Sequence, residues 1–335
     1  MRKALTTALM LIGAATATAA DAPMEEVVVT GEYAGPGMWQ ITHPDHPGHT
    51  LWIVGEPPLL PNGMHFRSEK VTRVASQSQE ILQQTGFGLK PDEKVGVFRM
   101  LTLVPAAMRL RKNPDKATLR DVLPPGVYAR WLVQKNLYLG RDSGVEKMRP
   151  FLVAEKLRDA AIKDLQLGNG FSWGDVWQIV NEKKIPVTNL SLEFTFKTDD
   201  LRGQLKAASR QKLDDEECFA LTVALIEALS NKAVEEARAR AWAAGDLAKL
   251  QELPPLPNPD PSCDQAIVNA LAMTTPVPTD LLEKMDEMWF AAAGNAVTKN
   301  VNTLAFVPMS TLLGEHGYLE SLRNRGYEIL APGIE

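Results

Sequence analysis

The chain has 335 residues, with 36 Lys and Arg against 41 Asp and Glu and a formal charge of −5. That sign is wrong for a phosphate backbone, which excludes nucleic acid as the natural partner. An apolar content of 45% and a charged content of 23% exclude a disordered or fibrous chain and leave room for a sizeable core.

Residues 1–20 read as a secretory signal. Arg2 and Lys3 start it, an apolar run follows over residues 4–13, and ATATAA offers cleavage after Ala19 or Ala20. The run is too short to span a bilayer, and no later stretch is long enough. No Cys lies near the cleavage site, so no lipid anchor is expected there. Cleavage leaves 34 basic against 41 acidic residues, a charge of −7. The expected address is the periplasm. Cys218 and Cys263 are the two cysteines. In an oxidising compartment such a pair is expected to form one disulfide. Neither has a His or Cys neighbour at metal-ligand spacing.

Residues 21–36 are expected to be a flexible arm. Their run EEVVVTGEY is similar to the box by which outer-membrane transporters contact an energising partner. A transporter needs a long barrel, for which the chain has no room. Apolar runs at 38–42 and 50–55, joined by HPDHPGH, predict a hairpin. Its tip gathers His43, Asp45, His46 and His49, side chains suited to a transition metal. Pro44 and Pro47 break the local geometry, so a polar tip is the expected reading. A Pro-rich loop follows. Ser68 as N-cap and Glu69 in the first turn open a helix expected to reach about residue 85, with Val71, Val74, Ala75, Ser78, Ile81 and Leu82 on one buried stripe and Gly86 as its stop.

Helical hairpins are expected over 90–140. They comprise a helix at 94–110 kinked at Pro105, a short helix at 118–123, and one at 128–136 carrying Trp131. Helices at 149–167 and 173–183 lead to a buried strand at 185–192 that ends at Glu193. Residues 213–242 read as one or two long helices, 254–261 as a Pro-rich turn, and 263–273 and 279–298 as helices. The chain closes with a strand at 303–307, a loop, a helix at 317–325 and a strand at 327–330. Gly326 stands where a helix C′ residue takes positive φ, and Arg323 and Arg325 lie where the helix dipole favours cations. The loop after the closing unit's first strand is Pro308, Met309, Ser310 and Thr311, which carries no ligand-grade side chain. Such loops commonly hold active-site groups. The expected fold is α/β: a mixed sheet built from N- and C-terminal strand–loop–helix–strand units. It forms a single domain over 37–335 with a large helical insertion over about 90–181. No G-x-G-x-x-G or G-K-[ST] motif is present, so neither a dinucleotide nor a P-loop site is expected.

Four segments carry a resemblance. They are GPGMWQI…HTLWIVGEPPLLP, the strand 185–193, AWAAGDLAKL at 241–250, and TLAFVPMSTLLGEHGYLESLRNRGYEIL near the end. In order and spacing the chain resembles the TraB/GumN family, related to the Tiki metalloproteases and to ChaN-like and erythromycin-esterase-like folds. The resemblance implies a metal-dependent hydrolase plan, with two Gly-x-x-His loops and a Glu that ends the strand after the first helix. Imidazole and carboxylate ligands there would hold an ion that activates water. Carried over by residue, the first motif falls on Gly55 to Pro58, which puts Pro58 at the His position. The Glu position falls on Gln83, with Glu80 a short slip away, and Glu193 matches the Leu-Glu end of the middle strand. The second motif falls on 308–311, in register with Gly314 and Gly317, and puts Thr311 at the second His position. Pro, Gln and Thr are absent or poor ligands, so no metal and no cofactor is expected. The function implied is a non-catalytic binder of a periplasmic protein, peptide or glycan. One alternative is a hydrolase using Mn, Co or Zn at a rearranged site built from Glu56, His65, Glu80 or His316. Another is a haem or iron binder.

Overall fold

The computed structural model describes residues 35–332 except 65, 67, 95, 169–172 and 315, and of residues 97–100 it describes the backbone alone. The signal reading, residues 21–34 of the arm reading, and His65 lie outside the described residues; the arm's last two residues, Gly35 and Pro36, are buried, and Gly35 N donates to Ala243 O at 2.9 Å. The chain opens with β1 (Met38–Thr42), β2 (Thr50–Glu56), β3 (Leu60–Pro61), α1 (Glu69–Gln77) and β4 (Glu80–Pro91). Helices follow as α2 (Val97–Leu110), α3 (Leu119–Val122), α4 (Pro125–Tyr138) and α5 (Pro150–Asp164). Next come β5 (Leu167–Gly168), α6 (Gly174–Lys183) and β6 (Val187–Phe196). A second helical run holds α7 (Leu201–Ala208), α8 (Glu216–Leu229), α9 (Lys232–Ala243), α10 (Leu247–Glu252), α11 (Asp260–Ala272) and α12 (Leu281–Lys299). The end is β7 (Asn302–Pro308), α13 (Met309–Leu313), α14 (Tyr318–Asn324) and β8 (Glu328–Leu330).

The fold is mixed α/β, as the sequence implies. Six strands run in the order β6-β4-β7-β2-β1-β8. β6, β4, β7 and β2 pair in parallel, while β1 runs antiparallel to β2 and to β8. Side chains alternate across the sheet with period two. Leu51, Ile53, Leu82, Ala305 and Val307 face α12 and α14, which supply Trp289, Phe290, Ala293, Val297, Leu319 and Leu322. Val54, Ile81, Leu304 and Phe306 face α1, α6 and α9. The sheet is therefore covered on both faces, which suits continuous apolar runs such as TLAFV. Gly326 takes φ +90 after α14, as its position at the helix end predicts.

Three expectations are corrected. The helix from Ser68 stops at Gln77, because Ser78 turns to extended backbone (ψ 143). The chain then becomes β4, with Ile81 and Leu82 buried on opposite faces of the sheet. Two adjacent apolar residues fit a helical stripe and a doubly covered strand equally well, and tertiary packing decides. Second, β6 starts at Val187 and runs to Phe196, so Glu193 lies inside it. β6 is an edge strand of half-buried and exposed residues, and Glu193 reaches solvent in an ion pair with Lys90. Third, residues 309–313 form the short helix α13 where a loop was expected.

Beyond the sheet, α3, α4, α5, α8 and α11 share a core around Trp131, Leu157, Phe219 and Ile226. Trp131 and Phe219 meet edge-on, with ring centroids 5.4 Å apart. Cys218 on α8 and Cys263 on α11 form a disulfide, with Cα atoms 4.6 Å apart. Arg149, the residue before α5, is buried at 2% exposure. Its Nε donates to Leu110 O at 2.8 Å, and its Nη2 donates to Gln211 O at 2.9 Å and Ala208 O at 3.2 Å. One guanidinium thus serves the carbonyl ends of α2 and α7, where helices leave acceptors unpaired.

Candidate functional site

Parallel pairing sets β2 and β7 in register, Gly55 opposite Val307 and Glu56 opposite Pro308. Both strands therefore end at one edge of the sheet, where open α/β sheets place ligands. A cleft of about 320 Å³ opens there, lined by Glu56, Pro57, Pro58, Arg158, Trp173, Asp260, Pro308 and Ser310.

Glu56 is fixed from the side. The Trp173 indole Nε1 donates to its Oε1 at 2.9 Å. Burial pushes the Glu56 carboxyl up, and the indole hydrogen bond opposes this by favouring the anion. On the opposite wall Arg158 Nη1 pairs with Asp260 Oδ1 at 3.0 Å. That pair joins α5 to the start of α11 and is partly exposed, so it positions more than it stabilises.

The strand end is clamped from behind. Trp242 on α9 donates from Nε1 to the Gly55 carbonyl at 2.8 Å. Gly55 itself has no room for a side chain: a Cβ there would lie 2.9 Å from both Met309 Sδ and Trp39 Cζ3. The segment AWAAGDLAKL thus has a structural part at this edge. Its Gly245 takes φ +69, with a Cβ position only 3.0 Å from Gly37 N. Its Asp246 caps α10, accepting from Lys249 N at 2.9 Å.

The sequence-expected residues divide. Glu56, Pro58 and the 308–310 segment meet in the cleft. Thr311 sits half-buried on α13, between Ser310, which lines the cleft, and the buried Leu312. Gln83 is half-buried in β4, in the irregularity between Leu82 and Thr85 where the strand leaves β7. Glu80 is not brought to the cleft. It pairs with Thr303 at the opposite end of β7, about 16 Å from the Glu56 register at strand rise. There its carboxylate accepts from Thr188 Oγ1 and from Asn300 Nδ2. His316 stands on the α13–α14 turn with its side chain 85% exposed and faces Glu320 on α14. Gly314 and Gly317 shape that turn: a Cβ would lie 2.5 Å from Ser310 O at the first and 2.7 Å from Leu312 O at the second. His43, His46 and His49 lie at the hairpin tip on the β1–β2 side, where His49 Nδ1 bonds Val297 O at 2.7 Å.

The donor set does not fit a metal of the hydrolase kind. Pro58 offers no donor, and Gln83 and Thr311 are neutral. Glu56 is tied to an indole, and the other carboxylate of the cleft, Asp260, is paired with Arg158. Among the described residues no group of three His, Cys, Asp or Glu side chains converges. Sequence reasoning missed Trp173, Trp242, Arg158 and Asp260 as parts of this edge. They come from helices far along the chain, and only the tryptophans stood out by type. Among the described residues no helix is long and apolar enough to cross a membrane.

The family model described as TraB/PrgY/gumN matches residues 37–331. No curated protein and no solved structure matches the chain.

Proposed function

The chain belongs to the TraB/PrgY/gumN family, and from that premise we propose that it is an exported, non-catalytic binding protein that takes a peptide, glycan or partner protein at the β2–β7 edge. The observation that carries this reading is the content of the two strand-end segments. Where the resemblance calls for two histidines they present Pro58, which lines the cleft, and Thr311, which follows the cleft-lining Ser310 on α13. The proline-lined walls, the Trp173 ring and the Arg158–Asp260 pair suit recognition of a polar ligand with an apolar flank. The Cys218–Cys263 disulfide supports an oxidising compartment, in line with the expected signal at residues 1–20.

The test is metal content by elemental mass spectrometry on untagged mature protein, before and after dialysis against Mn, Co and Zn. A peptidase screen with and without EDTA accompanies it. The expected result is no stoichiometric metal and no EDTA-sensitive hydrolysis. One tightly held ion per chain together with EDTA-sensitive hydrolysis overturns the reading.

A second reading rests on Glu56 alone. A half-buried carboxyl with a raised pKa at a strand end has the makings of a general acid or base. It predicts a metal-independent hydrolysis that Glu56→Gln reduces at least about a hundredfold while Trp173 burial and the thermal midpoint hold. Equal activity of wild type and variant removes it.

A further inference from the structure

A helix on the surface normally turns its apolar stripe inward. α2 has such a stripe, with Ala106 buried and Leu103 and Leu110 half-buried. It also has a second apolar stripe on the other side. Leu101, Val104 and Met108 follow one another at helical spacing and are 62%, 51% and 49% exposed. Pro105 and Ala107 widen this outer face and are exposed too. Singly exposed apolar residues are ordinary, but three long ones over two turns make a patch.

The charges around the patch say what covers it. From Lys94 to Lys112 the sequence holds five cations and no Asp or Glu. Arg109, Arg111 and Lys112 stand exposed at the carboxyl end of the helix. This is a local excess of positive charge on a chain whose net charge is −5. A second copy is a poor cover: apposing two such helices brings cations together with no acidic residue on either to offset them. An apolar face edged by Arg and Lys suits instead a layer that is apolar within and anionic at its surface.

We propose that the outer face of α2 docks the protein on the surface of an anionic lipid bilayer, with Leu101, Val104 and Met108 entering the acyl boundary and Arg109, Arg111 and Lys112 meeting the headgroups. The docking is peripheral and reversible. It stands independently of the cleft, which lies at the β2–β7 edge.

The experiment uses the mature full chain and two vesicle types, pure phosphatidylcholine and phosphatidylcholine mixed with phosphatidylglycerol, in a co-sedimentation assay across a salt series. The expected result is binding to the mixed vesicles that weakens as salt rises, and little binding to the neutral ones. L101Q/M108Q is expected to weaken binding by about tenfold or more, because the acyl contacts are lost. R111Q/K112Q is expected to weaken it by about tenfold and to flatten the salt dependence. All four positions are exposed, so both variants keep the wild-type thermal midpoint. Three results overturn the proposal: no binding of wild type to mixed vesicles, equal binding to both vesicle types, or wild-type binding by both variants. A wild type that is dimeric in solution and becomes monomeric on L101Q/M108Q, with no vesicle binding, assigns the face to a second copy.

Discussion

Arg149→Met is expected to destabilise the protein by about 3–5 kcal/mol, a large share of the stability of an ordinary domain. The reason is what the guanidinium holds. It is 2% exposed and donates to the carbonyls of Leu110, Ala208 and Gln211. Methionine fills a similar volume but donates nothing, so three buried or half-buried acceptors lose their partner. The substitution also removes the cation next to Asp215, which is itself 5% exposed and accepts from Phe151 N at 3.0 Å. The variant should melt about 10 °C lower, read by circular dichroism. A midpoint within a degree or two of wild type would mean that water or neighbouring groups already serve those carbonyls.

The same site sets a pH dependence. Asp215 is pushed up to about 6, mainly by burial, while the Phe151 amide and the Arg149 guanidinium pull the other way. A raised carboxyl favours the protonated form in the folded state. Its contribution is complete below the ordinary carboxyl range and is lost as pH rises through about 6. Two pH units of displacement correspond to about 3 kcal/mol at most. Asp215→Asn keeps an amide oxygen for Phe151 N and cannot ionise. Its urea midpoint is therefore expected to match wild type near pH 4 and to exceed it near pH 7.5. A wild-type stability that is flat between those values would refute the assignment.

How far the sequence could be read follows from where each signal was local. The β1–β2 hairpin and the β7–α14–β8 unit were legible because period-two runs, Gly326 and the terminal arginines are punctuated within a few residues. β4 was not. Ser78 to Leu82 carries a buried adjacent pair, and only the neighbouring strands β6 and β7 make it a strand. Glu193 reads as a strand end beside an apolar run, yet β6 continues to Phe196 because β4 extends beside it to Pro91. The cleft was half legible. Glu56, Pro58 and the 308–310 segment are named by strand ends, a local property. Trp173 and Trp242 reach Glu56 and Gly55 across 117 and 187 residues of sequence, and no local pattern encodes that approach.

Removing the disulfide is expected to cost about 4 kcal/mol in the chain-entropy account, because it closes a separation of 45 residues. Cys218 is 1% exposed and packs in the helical core with Phe219 and Val223, so the double variant Cys218→Ala/Cys263→Ala adds a small loss of packing. The loop it closes contains α9 and α10, and α9 carries Trp242, the donor to the Gly55 carbonyl. Asp260, the ion-pair partner of Arg158 on the cleft wall, starts the same helix that carries Cys263. Freeing α11 from α8 therefore loosens one wall of the cleft as well as the helical core. The measurement is a pair of urea titrations, on oxidised wild type and on the double variant, with tryptophan emission as the probe, to which Trp173 and Trp242 at the cleft and Trp131 in the helical core all contribute. The expected result is a lower midpoint for the variant, with the tryptophan signal changing before far-ultraviolet dichroism does. Coincident transitions at the wild-type midpoint would show that the contacts among α5, α8 and α11 hold that wall without the covalent link.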